Sequence, residues 1–236
     1  MSRIKLFCLP YAGGTAMVYN RMKRFLDSSI ELFPIELAGR GSRSREPFYD
    51  SVDEAVEDIY SSIKSQFNGE SFTFLGHSMG TVLEYELIYK IYELHNQLPM
   101  HAFFSGRHAP PIKKDEKDLH TLSDEEFIKE IYEIGGTPKE FFEHEELLKM
   151  FIPILKADYK IIENYKHKPK ADKFDFDITV FSGKEDKDVT KEDLAQWPKI
   201  TKGNCEVIEY TGGHFFILDK FDHIADIINN TLIVNN

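Results

Sequence analysis

The chain of 236 residues has few cysteines, no excess of basic charge and no long apolar run. Its two cysteines, Cys8 and Cys205, cannot build a disulfide framework. Both sit in apolar, strand-like runs and are expected to be buried free thiols in a reducing compartment. Lys and Arg number 29 against 40 Asp and Glu, a formal net charge of -11. That balance argues against a nucleic-acid partner, which requires a basic face. Short basic spots such as Arg40-Gly-Ser-Arg-Ser-Arg45 are flanked by acids. No apolar stretch is long enough to span a membrane. The opening MSRIK-LFCLPYAGG loosely resembles a signal peptide, but LFCL also reads as a first core strand followed by a working loop, and the second reading is preferred because the loop has a use. A soluble, cytoplasmic protein is expected. Glycine-rich nucleotide loops are missing, since PYAGG is neither G-x-G-x-x-G nor a P-loop with its Lys. The histidines lack metal-ligand spacing with cysteines or carboxylates. No cofactor and no metal are therefore expected.

What the sequence does contain is hydrophobic content of 42%, with 19 Phe and 11 Tyr, enough to fill the core of one large domain. Short apolar runs alternate with helical patterns. IKLFCL (4–9), IELFPIEL (30–37), FTFLG (72–76), HAFFSG (101–106), DITVFSG (177–183) and CEVIEY (205–210) read as strands buried on both faces. Helical patterns run over 16–26, 51–67, from Met79 and over about 221–233. Ser51, with Glu54 three residues on, is an N-cap signal, and Leu83, Leu87, Ile91 and Leu94 share one face. The alternation predicts an α/β fold with a mostly parallel central sheet flanked by helices. It breaks between about Pro110 and Pro169, where the chain is charged and helical. There Ser123 is an N-cap, Gly135-Gly136 a stop, and EELLKMFIPILKADYKIIENY a helix interrupted near Pro153. The expected organisation is a core of residues 1–109 and 170–236 with a helical insertion over 110–169.

GHSMG (76–80) stands between a strand and a helix. A sharp strand-to-helix turn holds its central residue at a strained backbone angle, and glycines are needed on either side where a Cβ would clash. The pattern G-x-S-x-G also arises by chance, because glycine makes up about 7% of ordinary sequence; its strand–helix context is what gives it meaning. Ser78 is then a candidate nucleophile, and it needs a base. Among nine histidines, His77 should point away from the serine, whereas His95, His101, His120, His144 and His167 lie in charged or helical surroundings and read as surface residues. His214 follows CEVIEY-T-Gly-Gly, on a loop past a strand, and is the candidate base. Asp186 in G-K-E-D is the candidate acid to orient it, with Glu185 and Asp188 as neighbours that could take its place. The order Ser78, Asp186, His214 is that of α/β-hydrolases. Backbone N–H groups of Met79 and of Ala12, in the PYAGG loop, are candidates for an oxyanion hole; an ordinary turn is the plainer reading of that loop.

LPYAGG, ELAGRGSRSREP, GHSMG, FFSGRHAPP, LSDEEF…GGTP, LKADYKIIENY, VFSGKEDKDV and GGHFFIL occur in that order. Together they resemble the type II (external) thioesterases of nonribosomal peptide and polyketide synthesis, over nearly the whole chain. The resemblance implies an α/β-hydrolase fold with a helical lid at 110–169, a triad of Ser78, Asp186 and His214, and oxyanion donors at Ala12 and Met79. It implies hydrolysis of acyl groups from the phosphopantetheine arm of acyl or peptidyl carrier domains, the arm belonging to the substrate. A monomer is the default expectation. Ala38, where proline is commoner in the family, and His108, where a second basic residue is usual, depart from its pattern in ways that bear on pocket shape or carrier contact. Three rival readings share much of this: a general carboxylesterase or lipase, a fatty acyl-carrier thioesterase, and a catalytically idle carrier-binding scaffold. The HGGG motif of many lipases is absent.

Overall fold

The computed structural model describes residues 3–112, 118–135 and 144–233. Six strands form one sheet: β1 (Ile4–Leu9), β2 (Ile30–Pro34), β3 (Phe72–His77), β4 (Ala102–Ser105), β5 (Ile178–Gly183) and β6 (Cys205–Tyr210). Their order is β2-β1-β3-β4-β5-β6, and each of the five pairings is parallel. β1 occupies an interior position, which supports the reading of LFCL as a core strand. β1, β3, β4 and β5 are buried on both faces because both faces are covered, and the period of two divides them cleanly. The edge strands differ from the expectation: β2 is mostly half-buried, and β6 exposes Glu206, Val207 and Glu209 because it has a neighbour on one side alone. Phe7, Leu9, Phe74, Phe104 and Val180 join one core, under α1 (Val52–Ile63) and α2 (Met79–His95). Leu6, Cys8, Leu75, Phe103 and Phe181 join the other, under a 3-10 helix (Ala16–Phe25) and the C-terminal helix (Phe221–Ile233).

Between β4 and β5 the described chain is helical: α3 (Asp124–Ile134), then α4 (Glu145–Glu163). Ser123 and Glu126 close a full capping box on α3, and Gly135 ends it. Gly136 and the rest of the GGTP segment lie outside the described residues. Leu119, Phe127, Ile131, Ile152 and Leu155 make a small core of their own. Ala12 packs against both that core and the larger core under α1 and α2.

Several expectations shift. β2 stops at Pro34, so 35–37 is not strand, and the 16–26 segment winds as 3-10 rather than α. α4 runs through Pro153 without a break. That residue is exposed, so water can take the Lys149 carbonyl that proline leaves without a donor. Leu94 is 57% exposed although Leu83, Leu87 and Ile91 are buried, because the helix ends one residue later with Asn96 in the left-handed region. Cys8 is buried and Cys205 only half-buried, both as free thiols. His101, expected at the surface, is buried and hydrogen-bonds Thr179 Oγ1 at 2.9 Å through Nε2. Burial pushes its pKa down to about 4. His95, His120 and His167 are half-buried against Tyr60, Glu163 and Tyr85, respectively; His144 alone of this group is exposed.

Glu84 is the unusual core residue. It is fully buried on α2, and neither carboxyl oxygen has a hydrogen-bond partner. Burial pushes its carboxyl well above the usual 4.5, and the nearby Gly76 amide offsets this only in part, without reaching hydrogen-bonding geometry. The folded state therefore keeps a proton that the unfolded chain releases. The stability tied to that proton is present below about pH 4.5 and is lost as pH rises toward the folded pKa. Glu84→Gln is expected to raise Tm at about pH 8 by more than at about pH 5. A gain that does not change with pH would show that Glu84 is ionised in the fold.

Candidate active site

The site is assembled at the C-terminal ends of β1, β3, β5 and β6. Ser78 follows β3 directly and has φ 55 and ψ -113, one of two non-glycine residues with positive φ among those described. The flanking glycines are explained by what a side chain would meet. A Cβ on Gly76 would lie 2.4 Å from the Gly80 carbonyl oxygen, and one on Gly80 would lie 2.2 Å from that of Leu9. The turn is pinned by Ser78 N–H donating to the Ser105 carbonyl at 2.8 Å and by Thr81, whose hydroxyl donates to the Gly76 and Ser105 carbonyls.

His214 reaches Ser78 from the loop after β6. Its Nε2 lies 2.9 Å from Ser78 Oγ, and its Nδ1 lies 2.8 Å from Asp186 Oδ2. An ionised carboxylate can only accept, so Nδ1–H donates to Asp186 and Nε2 is left to accept from the serine hydroxyl. Asp186 is nearly enclosed, its side chain 1% exposed, and its Oδ1 accepts from Asp188 N–H at 2.9 Å. Of the other two acids in G-K-E-D-K-D, Glu185 accepts from Gly212 N–H, and Asp188 is exposed, its carboxylate within 4.8 Å of that of Asp186 and of the His214 ring, whereas the enclosed contact to Nδ1 is that of Asp186. The acid loop and histidine loop are joined by further backbone bonds, Lys184 N–H to Tyr210 O at 2.8 Å and Glu185 N–H to Gly212 O at 3.1 Å.

His77 is more than a neighbour of the serine. It is fully buried, hydrogen-bonds Ser105 Oγ at 2.8 Å, and its ring lies 5.3 Å from that of His214. Burial, and then the nearby His214, push its pKa well down, so it stays neutral. A second positive ring at that distance would oppose an imidazolium at His214.

The PYAGG loop lies over the serine. Gly14 N–H is taken by the Tyr11 carbonyl at 2.8 Å and Gly13 N–H by Asp158 Oδ2 at 2.7 Å. Ala12 lines the same two cavities as Ser78. Met79 opens α2, where an N–H has no carbonyl one turn back to accept it. Both predicted donors thus border the serine.

Those two cavities meet at Ser78 and His214. One, of about 450 Å³, is walled by Met17, Val18, Phe151, Ile154 and Leu155. The other, of about 350 Å³, carries Arg107, Glu130, Lys187 and Asp188 beside Leu119 and Ile162. His108 lines the second cavity and is buried, with Nδ1 3.1 Å from the Ala109 carbonyl, so it shapes a pocket and is not a basic surface group. Ala38 donates its N–H to Tyr49 Oη at 3.0 Å, a bond that proline could not make. Asp118, His120 and Glu163 bring ligand atoms within 4.8 Å of one another, but Glu163 is occupied in accepting from the Leu119 and His120 backbone and the His120 ring.

The fold and this arrangement of serine, histidine and carboxylate define an α/β-hydrolase. A family model described as "Thioesterase domain" matches residues 4–232, and the chain belongs to that family. It is 37% identical over 219 residues to the gramicidin S biosynthesis protein GrsT of Aneurinibacillus migulanus, covering 93% of this chain and 85% of that protein. It is 32% identical to the medium-chain S-acyl fatty acid synthase thioesterase of Rattus norvegicus, covering 91% of this chain and 81% of that one. Among solved structures, ClbQ from the colibactin NRPS/PKS pathway superposes with a TM-score of 0.94 at 36% identity, over 98% of this chain and 97% of that one. The type II thioesterase BorB from the borrelidin biosynthetic cluster gives 0.88 at 30%, over 98% and 93%. The protein is a thioesterase.

Sequence reasoning missed Asp158 and Arg40. Asp158 stands on the buried stripe of α4 formed by Leu155, Ile161 and Ile162. A carboxylate on an apolar stripe, with an arginine between two glycines elsewhere, was the available signal.

Ser78 should carry measurable strain. Ser78→Gly is expected to be more stable than Ser78→Ala by about 1 kcal/mol in urea unfolding, since only glycine relaxes a positive φ. Equal stabilities would mean that the turn is not strained.

Proposed function

We propose that this thioesterase removes acyl groups from the phosphopantetheine arm of carrier domains of a nonribosomal peptide or polyketide synthase, through an acyl-serine at Ser78. The observation that carries the chemistry is the continuous chain from Ser78 Oγ through His214 to enclosed Asp186, at 2.9 and 2.8 Å. Ser78 Oγ attacks the thioester carbonyl as His214 Nε2 takes its proton. The carbonyl oxygen becomes an oxyanion facing the N–H groups of Ala12 and Met79. Collapse expels the pantetheine thiol, protonated by His214, and leaves an ester on Ser78. Water, deprotonated by His214, attacks that ester and releases the free acid and the serine. Asp186 fixes the histidine tautomer and offsets the imidazolium charge; neutral His77 adds no opposing charge.

The likeness to GrsT, ClbQ and BorB supports the carrier reading. Two cavities meeting at the serine suit a thioester, which has an acyl side and an arm side: the more apolar cavity takes the acyl group and the charged one the arm. The described part of the 110–169 insertion serves as a lid: Ile134 and Tyr159 wall both cavities, and Leu155 walls the first. Carriers are commonly acidic, as is this chain, so docking relies on local contact and not on long-range attraction. Met17, 71% exposed at the wall of the first cavity, and Met150, 72% exposed and next in sequence to its wall residue Phe151, supply apolar surface. The protein acts in the cytoplasm as a monomer. The rat relative favours a second reading, release of medium-length fatty acyl chains.

The test is hydrolysis of acetyl- and octanoyl-loaded holo carrier protein, with the corresponding acyl-CoA in parallel. Wild type is expected to cleave both carriers faster than the CoA thioesters, and Ser78→Ala to lose at least about a thousandfold. A preference for octanoyl above about a hundredfold, which a site shaped to bury the added methylenes gives, would favour the fatty acyl reading. Equal rates on carrier and CoA would remove the carrier from the account. Ile154→Trp, which fills the apolar cavity, is expected to lower kcat/KM for octanoyl relative to acetyl by about tenfold or more; an unchanged ratio would place the acyl group in the other cavity.

A further inference from the structure

Three segments far apart in sequence converge on one carboxylate. Asp158 of α4 is buried, its side chain 2% exposed. Its Oδ1 accepts from Arg40 Nη2 at 2.6 Å, and its Oδ2 accepts from Arg40 Nη1. The same Oδ2 takes the Gly13 N–H at 2.7 Å. Arg40, its side chain 1% exposed, is presented by the Gly39-Arg40-Gly41 loop after β2. The contact between α4 and the PYAGG loop is intimate. Gly13 has φ +76, and a Cβ there would lie 2.7 Å from Leu155 Cδ2 and 3.0 Å from Phe151 Cζ, both on α4.

Gly13 is the residue after Ala12, the oxyanion donor of the proposed function. The orientation of the 11–12 peptide is set by the loop on either side of it. Behind Ala12 that loop is held by Gly14 N–H to Tyr11 O, and ahead of it by Gly13 N–H to Asp158. We propose that Asp158 is a positioning residue for the thioesterase reaction, with Arg40 as its counter-ion: by accepting the Gly13 N–H it holds the Ala12 N–H toward the oxyanion. The inference deepens the proposed function, since it rests on Ala12 as a donor. Its consequence is that the oxyanion hole is complete only while α4 lies against the loop. A movement of α4 that widens the site also withdraws the acceptor from Gly13, so an open site is a slow one.

The two roles of the carboxylate are separable. Removing Asp158 alone strands the buried Arg40 charge, which would destabilise any fold. Replacing both partners by apolar groups avoids that cost. Arg40→Met/Asp158→Leu therefore keeps packing but gives Gly13 N–H no acceptor. Arg40→Met/Asp158→Asn also discards the charges but restores a neutral acceptor. The reaction is hydrolysis of a p-nitrophenyl acyl ester by the full chain, which needs the oxyanion hole but no carrier. The companion measurement is inhibition by an aryl trifluoromethyl ketone, whose adduct with the serine is itself an oxyanion.

The Met/Leu pair is expected to lose about a hundredfold in kcat, with KM within about threefold, as a misplaced catalytic group does. Its ketone affinity should fall in parallel, and the Met/Asn pair should recover both to within about tenfold of wild type. Should the Met/Leu pair not fold, Arg40→Leu/Asp158→Val takes its place in the comparison with Met/Asn. Wild-type kcat and ketone affinity in the apolar pair would overturn the proposal, and so would equal losses in the two pairs. Failure of the carrier reading would leave these ester and ketone measurements unaffected, so the two ideas fail separately.

Discussion

The close approach of backbone to backbone at the end of β3 is the constraint on which the rest depends. Gly76 and Gly80 leave no room for a Cβ, their hypothetical side chains lying 2.4 and 2.2 Å from carbonyl oxygens. That approach is what lets β3 turn into α2 within one residue and leaves Ser78 at φ 55. The cost of such a conformation is on the order of 1–3 kcal/mol, and it persists only where the surroundings impose it. Here they do so through the Ser105 carbonyl, the Thr81 hydroxyl and the packed cores on both faces of the sheet.

Everything else in the site is arranged around that fixed hydroxyl. β5 and β6 are neighbours at the other side of β4, and backbone bonds between the loops that follow them bring Asp186 and His214 into register. The loop after β1 arrives from the opposite side because β1 pairs with β3. The site tolerates buried polar groups where each has a partner or a neutral form. Asp186 has two hydrogen bonds, Asp158 has an arginine and a backbone amide, and His77 stays uncharged through burial. Glu84 lacks such partners, and burial holds its carboxyl well above the usual carboxylate range.

The fold and the central site were legible in the sequence to the extent that their determinants are local. GHSMG carries its own explanation in five residues. The four interior strands show as short apolar runs because a parallel sheet buries both of their faces, whereas the edge strand β6 carries exposed Glu206 and Glu209. Asp186 and His214 were readable as loop residues after strands, although only the structure separates Asp186 from Glu185 and Asp188, by giving those two other work or exposure. What failed to show was non-local. The surface reading of His101 overlooks its place at the head of the apolar run HAFFSG, and the partner that satisfies it in the core, Thr179, is 78 positions away. Arg40 and Asp158 are 118 positions apart, and neither predicts the other. The helix expected through 16–26 depends on how Tyr19 and Met22 dock beneath the sheet, and docking favoured the tighter 3-10 form.

The central claim is that Ser78 carries the acyl group between attack and release. Its most direct test is rapid quenching of wild type with excess acetyl-loaded carrier protein, followed by intact-mass and peptide mass spectrometry. The account predicts a transient gain of one acetyl group, confined to the peptide that contains Ser78 and absent from Ser78→Ala. Turnover without any acyl-enzyme, or an acetyl group on another residue, would contradict it.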